Sequence, residues 1–167
     1  MRIQINGFSG SGKSTLAKKL SDYYNLPLLH MDTVRFFGDW QSKTIEEQTS
    51  LTREFLKENK EWVIDGNYSR VAPERFSMSD MTIYLKYNRF YCYYKCLMRY
   101  FAHRGKTRDS LGCLEKFDLE FQWWILFKGR TKRIRRQHQK NLEATPGEKY
   151  VFKNKRQLTK FLNNIFK

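Results

Sequence analysis

Short apolar runs alternate with longer amphipathic stretches along the chain, and glycine, asparagine or proline punctuates them. Arg2 to Asn6 reads as a strand, Lys13 to Tyr24 as a helix and Pro27 to Met31 as a second strand. Thr44 to Glu58 reads as a helix opened by a capping box, Thr44 with Glu47 three residues on. Trp62 to Asp65 and Met81 to Tyr87 are the next strands, followed by an aromatic-rich helix from Asn88 to about His103. Glu115 to about Gln139 reads as one long helix, Tyr150 to Lys153 as a fifth strand and Lys155 to Ile165 as a closing helix. Strands alternating with helices predict an α/β domain whose parallel sheet is covered on both faces. No repeat or linker interrupts the pattern, so residues 1–167 are expected to form a single domain. One segment resists: Arg2-Ile3-Gln4-Ile5-Asn6 alternates as though one face met water, whereas a central parallel strand is buried on both. The glycine loop that follows overrides that signal.

At 167 residues and 20.3 kDa the chain holds one sizeable core and not two. A hydrophobic fraction of 40% places it among folded proteins. Charge sharpens the picture. Residues 1–85 carry equal numbers of basic and acidic side chains, so the whole net charge of +15 falls in residues 86–167. Such a chain seeks anionic partners: phosphorylated small molecules, nucleic acid or an acidic membrane surface. No apolar run approaches a membrane-spanning length and the first residues lack an apolar leader, so no membrane role is expected. Cys92, Cys96 and Cys113 are too few and too odd in number for a disulfide framework, which fits reduced thiols in the cytoplasm.

The strongest motif lies between the first strand and the first helix. Gly7-Phe8-Ser9-Gly10-Ser11-Gly12-Lys13-Ser14-Thr15 satisfies G-x-x-x-x-G-K-[ST], a phosphate-binding loop in the strand–loop–helix context its mechanism requires. The glycines let backbone N–H groups turn toward phosphate oxygens and the helix N-terminus adds a favourable dipole. Lys13 reaches the β- and γ-phosphates, and Ser14 is a magnesium ligand. Gly7, Ser9, Gly10, Ser11, Gly12, Lys13, Ser14 and Thr15 are therefore the expected nucleotide-binding residues. The Asn-Lys-x-Asp signature of GTPases is absent. Motors of the larger ATPase classes need more chain, which leaves a small-molecule or nucleotide kinase.

The phosphate loop, Leu29-His30-Met31-Asp32, Trp62 to Ser69 with its Asp65-Gly66-Asn67-Tyr68 core, Arg104-Gly105-Lys106-Thr107-Arg108 and Glu115-Lys116-Phe117-Asp118 together resemble the DNA topology modulation proteins, which are P-loop proteins related to adenylate kinase. The resemblance spans nearly the whole chain. It implies a kinase-type three-layer fold with a five-stranded parallel sheet in the order 2-3-1-4-5, and a role in DNA topology. It also implies an acceptor-binding segment at about 33–60 and a lid at about 103–114.

In open parallel sheets ligands bind at the carboxyl ends of the strands, so Asp32 and Asp65 should face the triphosphate. Asp65 would hold magnesium through water; its plain alternative is a turn-forming Asp-Gly. Asp32 would orient or deprotonate an acceptor hydroxyl, or else cap the following segment. His30 is expected to orient Asp32. Asp32-Thr33-Val34-Arg35, and Asp65-Gly66 followed by Arg70, resemble the acceptor-phosphate motifs of adenylate kinases with imperfect register. Asp32 thus favours a hydroxyl acceptor, whereas Arg35 and Arg70 favour a phosphorylated one.

Phosphoryl transfer spreads negative charge that mobile arginines can meet. Arg104 and Arg108 in the lid are expected to do so, with Arg130 and Arg133 as further candidates. Lys128 to Lys140 holds Lys128, Arg130, Lys132, Arg133, Arg135, Arg136 and Lys140 without an acid. This run is either a solvated surface or a phosphate-tracking face for DNA or RNA. His103 and Cys113 are too few for a lid zinc site. Phe117, Phe121, Trp124 and Ile125 share one helical face and are expected in the core. Lys153-Asn154-Lys155 lies where related kinases pass near adenine. Two readings follow: an ATP- and magnesium-dependent phosphotransferase with a small acceptor, and a nucleotide-responsive regulator that binds DNA.

Overall fold

The computed structural model describes residues 1–38, 40–105 and 115–166. The chain opens with β1 (Arg2–Gly7) and α1 (Lys13–Tyr24), then β2 (Leu28–His30), which turns directly into the short helix α2 (Met31–Arg35). A small antiparallel pair, β3 (Phe36–Phe37) with β4 (Gln41–Ser42), precedes α3 (Ile45–Glu58). Next come β5 (Trp62–Asp65), α4 (Glu74–Ser77), β6 (Met81–Leu85) and α5 (Arg89–His103). The last third contains α6 (Leu119–Leu126), a 3-10 turn (Lys128–Arg130), α7 (Lys132–Glu143), β7 (Glu148–Phe152) and α8 (Lys155–Ile165).

One parallel sheet runs β2-β5-β1-β6-β7. Its five strands, counted among themselves, stand in the expected order 2-3-1-4-5; the extra hairpin shifts only the numbering. Helix α3 begins on the anticipated capping box, with Glu47 N donating to Thr44 Oγ1 (3.2 Å) and Thr44 N to Glu47 Oε2 (2.8 Å).

The expected long helix over 115–139 is broken. Asp118 caps α6 by accepting from Phe121 N at 2.8 Å, and Thr131 starts α7 by accepting from Ile134 N at 3.4 Å. Between them Gly129 sits so close that a Cβ would lie 2.8 Å from Trp124 O. A continuous amphipathic period hid two internal cap residues. Ile125 is buried, and Phe117 and Phe121 pack against the core, but Trp124 is exposed, lying beside Gly129 on the flank of its helix.

The alternation in β1 has a physical resolution. Ile3 and Ile5 enter the main apolar cluster with Leu16, Ala17, Val63 and Ile83. Gln4 and Asn6 are equally buried on the opposite face, which carries polar partners instead of water. Gln4 Oε1 accepts from Arg75 Nε of α4 at 3.1 Å, and Thr82 Oγ1 of the adjoining β6 lies 2.6 Å from Thr145 Oγ1. Gln4 and Thr82 thus find partners on α4 and just beyond α7, whereas Asn6 Nδ2, at the loop end of the same face, has none among the described residues.

Candidate phosphate and acceptor site

Every residue of the glycine-rich loop lies where β1 hands over to α1. Gly12 caps α1 with no side-chain hydrogen bond, so the first helical amides are free to meet an anion. Lys13 Nζ donates to Phe8 O across the loop at 3.3 Å. Ser9, Gly10, Lys13 and Ser14 are partly accessible and Thr15 is exposed on the first turn. Ser11 is buried, and its Oγ has no partner among the described residues.

Three neighbours grip this loop. Asn67, just beyond β5, accepts from Gly7 N at 3.0 Å and donates Nδ2 to Gly7 O at 2.8 Å. Helix α5 presses on Gly10, whose φ is +77°. A Cβ there would lie 2.3 Å from Cys92 O and 2.6 Å from Cys96 Sγ, so only glycine fits. Burial in that contact pushes both thiols above their ordinary pKa, which makes them packing groups rather than nucleophiles.

The third grip centres on Phe8. The Arg130 guanidinium lies 3.8 Å from the Phe8 ring centroid and donates Nη1 to Tyr87 O at 2.6 Å. His138 of α7 meets Phe8 edge-on at 5.3 Å and stacks on Tyr84 at 5.0 Å. Among the described residues both ring nitrogens of His138 lack partners, as do Asn6 Nδ2, Tyr84 OH and Arg130 Nη2. Burial, reinforced by the charges of Lys13 and Arg130, lowers the His138 pKa to about 4, so the ring is neutral. Arg130 is thus brought to the loop, whereas Arg133 stays exposed on α7.

Two carboxylates close the strands beside the loop. Asp65, at the end of β5, accepts from Ser14 Oγ at 2.8 Å, and its other oxygen lies 2.5 Å from His30 Nδ1. His30 therefore orients Asp65, not Asp32 as expected from sequence. Among the described residues no three His, Cys, Asp or Glu side chains gather to cage a metal. The Ser14–Asp65 pair offers hard oxygen donors, the small protein contribution magnesium takes when phosphates and water complete its shell.

Asp32 stands in the first turn of α2, where β2 ends, and accepts from Tyr68 OH at 2.6 Å. Burial and the Asp32 charge raise the Tyr68 pKa well above its ordinary value, keeping the phenol a donor. Arg35 lies over two rings, Phe36 at 4.8 Å and Tyr68 at 5.2 Å. Arg70 is exposed in the loop after β5. That loop is held from beneath by Arg75, whose buried guanidinium donates to the carbonyls of Asn67 and Tyr68 at 3.3 Å each and to Val71 O. Burial lowers its pKa to about 9, so it remains charged at neutral pH.

Of the lid arginines, Arg104 caps the exposed end of α5 and Arg108 lies outside the described residues. On either side of the expected lid, Arg99 Nη2 of α5 and Glu115 Oε1 are 2.7 Å apart. Lys128, Lys132, Arg133, Arg135, Arg136 and Lys140 are exposed, which leaves Arg130 as the inward member of the basic run. Sequence reasoning assigned no role to Phe8, Tyr68, Arg75 or His138. Only Tyr68 carried a signal, its place in Asp-Gly-Asn-Tyr.

No family model matches the chain, and no curated protein matches it. Solved structures do. An uncharacterised protein from Eubacterium ventriosum is 17% identical at a TM-score of 0.52, over 99% of this chain and 97% of its own. Deoxyadenosine kinase from M. mycoides, solved with bound dATP, is 16% identical at a TM-score of 0.54, over the full length of both chains. A putative kinase from Chloroflexus aurantiacus is 14% identical at 0.47, over 75% and 77%. The fold that places these side chains, a five-stranded parallel sheet between helices, is the one shared with that deoxyadenosine kinase.

Proposed function

We propose that the chain is an ATP- and magnesium-dependent phosphotransferase that moves a γ-phosphoryl group to the hydroxyl of a small acceptor. The observation that carries this reading is the pair of strand-end carboxylates with separate partners. Asp65 is bonded to the phosphate-loop hydroxyl of Ser14, while the Asp32 carboxylate is bonded to Tyr68 on the other side. In this reading the first group serves the metal and the second an incoming hydroxyl. The loop Gly7 to Thr15 cradles the triphosphate and Lys13 meets its β- and γ-phosphates; Ser14, and Asp65 through water, would hold magnesium, which would supply charge neutralisation there. Asp32 accepts the hydroxyl proton as attack proceeds, and Tyr68 fixes its orientation. Arg130 beside Phe8, with Arg104 and Arg108 from the lid, offsets the developing charge.

The acceptor enters past Arg35 and Arg70. Arg35 already rests on the Phe36 and Tyr68 rings and Arg70 is solvated, an arrangement that favours a hydroxyl-bearing acceptor, of which a nucleoside is one class, over one gripped by both arginines. The fold shared with deoxyadenosine kinase agrees with this choice.

The test is a screen with γ-labelled ATP against nucleosides, nucleotides and phosphorylated metabolites. Label should pass to a hydroxyl-bearing acceptor. Lys13→Ala should abolish transfer, and Asp32→Ala should cut turnover about 100-fold or more while sparing ATP affinity. Full turnover in the Asp32 variant would remove the assigned base.

A further inference from the structure

Aromatic side chains on the outer face of α5 and α6 take no part in the site. Helix α5 exposes Phe90, Tyr94, Met98 and Phe101, with Leu97 half-buried among them. Positions 90, 94, 97 and 101 keep the four-three-four spacing of a helix-pairing seam. The opposite side of α5 carries Cys92 and Cys96, buried against the phosphate loop.

Helix α6 continues the surface. It runs antiparallel to α5: Arg89 Nη1 donates to Leu126 O at 2.9 Å, Tyr93 OH to Gln122 Oε1 at 2.8 Å, and Tyr100 stacks on Phe117 at 5.9 Å. At about 100° per residue, Leu119 and Trp123 fall on the sector of α6 between its α5 contact and solvent, as Phe90, Leu97 and Phe101 do on α5. Phe127 joins them, 4.2 Å from Trp123 between ring centroids and 5.9 Å from the Arg89 guanidinium. The two rows therefore form one continuous apolar surface.

Its area and composition identify an occupant. Phe90, Tyr94, Met98, Phe101, Leu119, Trp123 and Phe127 are between 46% and 82% exposed. At about 200 Å² per large side chain they present roughly 800 Å². The largest apolar patch on an ordinary monomer is roughly 300–600 Å², and a stable protein interface takes about 800 Å² from each partner. Lys95 is the one exposed lysine or arginine on α5, and Glu120 the one charged residue on α6. The surface is rich in Phe, Tyr, Trp and Met and poor in charge, the make-up of an interface core. A stacking platform for single-stranded nucleic acid would interleave cations with its rings, whereas this face carries only Lys95 and the half-buried Arg89 beside its aromatics, and the denser basic run, Lys132 to Lys140, lies on α7.

We propose that this face is a two-fold contact with a second copy of the chain, in which α5 and α6 of each subunit form a four-helix packing. An antiparallel helix pair of this kind is self-complementary: rotated by 180° about an axis through its centre, each row meets the other copy's row. Tyr94, mid-stripe, lies near that axis.

The test is sedimentation velocity on the full chain across a wide concentration range, with Tyr94→Glu and Phe101→Glu variants. The wild type should be dimeric, and each variant should weaken association at least about 30-fold. Circular dichroism and ATP affinity should be unchanged, because neither residue touches the phosphate loop. Tyr94→Cys in a Cys113→Ser background should cross-link to its own copy on mild oxidation, a readout that survives if either glutamate variant misfolds. A wild type that stays monomeric overturns the proposal, as does a dimer that both glutamate variants leave intact. Salt-resistant binding of a single-stranded oligonucleotide that Tyr94→Glu abolishes, without any dimer, assigns the face to nucleic acid and overturns it equally. None of these outcomes depends on the identity of the phosphoryl acceptor.

Discussion

His138 makes the phosphate-loop grip measurable without a substrate. The folded protein holds the ring neutral to about pH 4, whereas an unfolded chain protonates it near 6.5. Between those values the unfolded state binds one proton more than the folded state, so stability must fall as pH falls. The loss begins below about 6.5, continues through 4 and then levels off, because beneath both values the two states carry the same charge. At about 1.4 kcal/mol per pH unit the ring costs about 2 kcal/mol at pH 5 and about 3 kcal/mol at pH 4. His138→Leu, close in volume, removes the titration. It also removes two unpartnered nitrogens, a gain that offsets the lost stacking on Tyr84, so at pH 7 the variant should lie within about 1.5 kcal/mol of wild type. Urea denaturation of both proteins from pH 7 to pH 5 supplies the assay. Carboxylates held by partners, such as Asp80 beside Arg2, respond equally in both and cancel. The expected result is a difference that grows by about 2 kcal/mol in favour of the variant on acidification. Parallel curves would mean that the ring is hydrated or protonated in the folded state, and the dry contact with Phe8 would have to be abandoned.

Gly10→Ala should destabilise the fold by about 3 kcal/mol or more and abolish nucleotide binding, since its Cβ would meet the Cys92 carbonyl, which cannot move without α5. Gly12→Ala, at a φ of +89° but with nothing within 4 Å, should cost only about 1–2 kcal/mol of backbone strain; equal losses in thermal unfolding of the two variants would refute the α5 contact. Tyr68→Phe removes a hydrogen bond to a charged oxygen and should lower kcat about 10- to 100-fold with the ATP KM unchanged. An unchanged kcat in this variant, measured at saturating ATP, would show that Tyr68 does not position Asp32.

The elements that build the sheet were legible because each carries local punctuation. The phosphate loop sits between a strand and a helix, α3 begins on a capping box, and β2 and β5 end on paired His30 and Asp65, with Asp32 two residues past that end. The break in the 115–139 helix was present in the sequence as Asp118 and Thr131, but a cap matters only where tertiary contacts end the helix before it. Gly129 against Trp124 supplies that contact, and no local pattern encodes it. The grip on the loop was illegible for a related reason. Phe8 occupies a variable position of the motif, and its partners Arg130 and His138 lie more than a hundred residues away, so nothing in their spacing reports the contact. The aromatic helices misled in the opposite direction. Periodicity shows that one face of α5 is apolar, but α5 is apolar on two faces, and only packing reveals that one is spent on Gly10 while the other faces outward.

Asn6, Ser11, Tyr84, Arg130 and His138, all buried, gather around the phosphate loop, and that placement has a physical logic. A loop that turns several amides toward phosphate loses backbone entropy and carries repulsive dipoles, so it holds its shape without ligand only where neighbours restrain it. Asn67 restrains Gly7 from the loop after β5, α5 restrains Gly10, and the turn before α7 restrains Phe8. Each restraint arises from a segment with a second task. Asn67 precedes Tyr68, which holds Asp32; α5 leads into the proposed lid; and Arg130 follows the chain's return from it. Arg75 completes the arrangement from below, since its donors fix the carbonyls of Asn67 and Tyr68 while its Nε satisfies Gln4 of β1. A displacement of the loop after β5 or of the turn before α7 therefore reaches the phosphate loop through one side chain in each case. That is a short route by which closure over an acceptor could be sensed at the triphosphate. The polar residues of β1 that seemed misplaced in a central strand are what anchor this arrangement. Isoleucine at position 4 would fill the same strand but leave the Arg75 Nε without its acceptor.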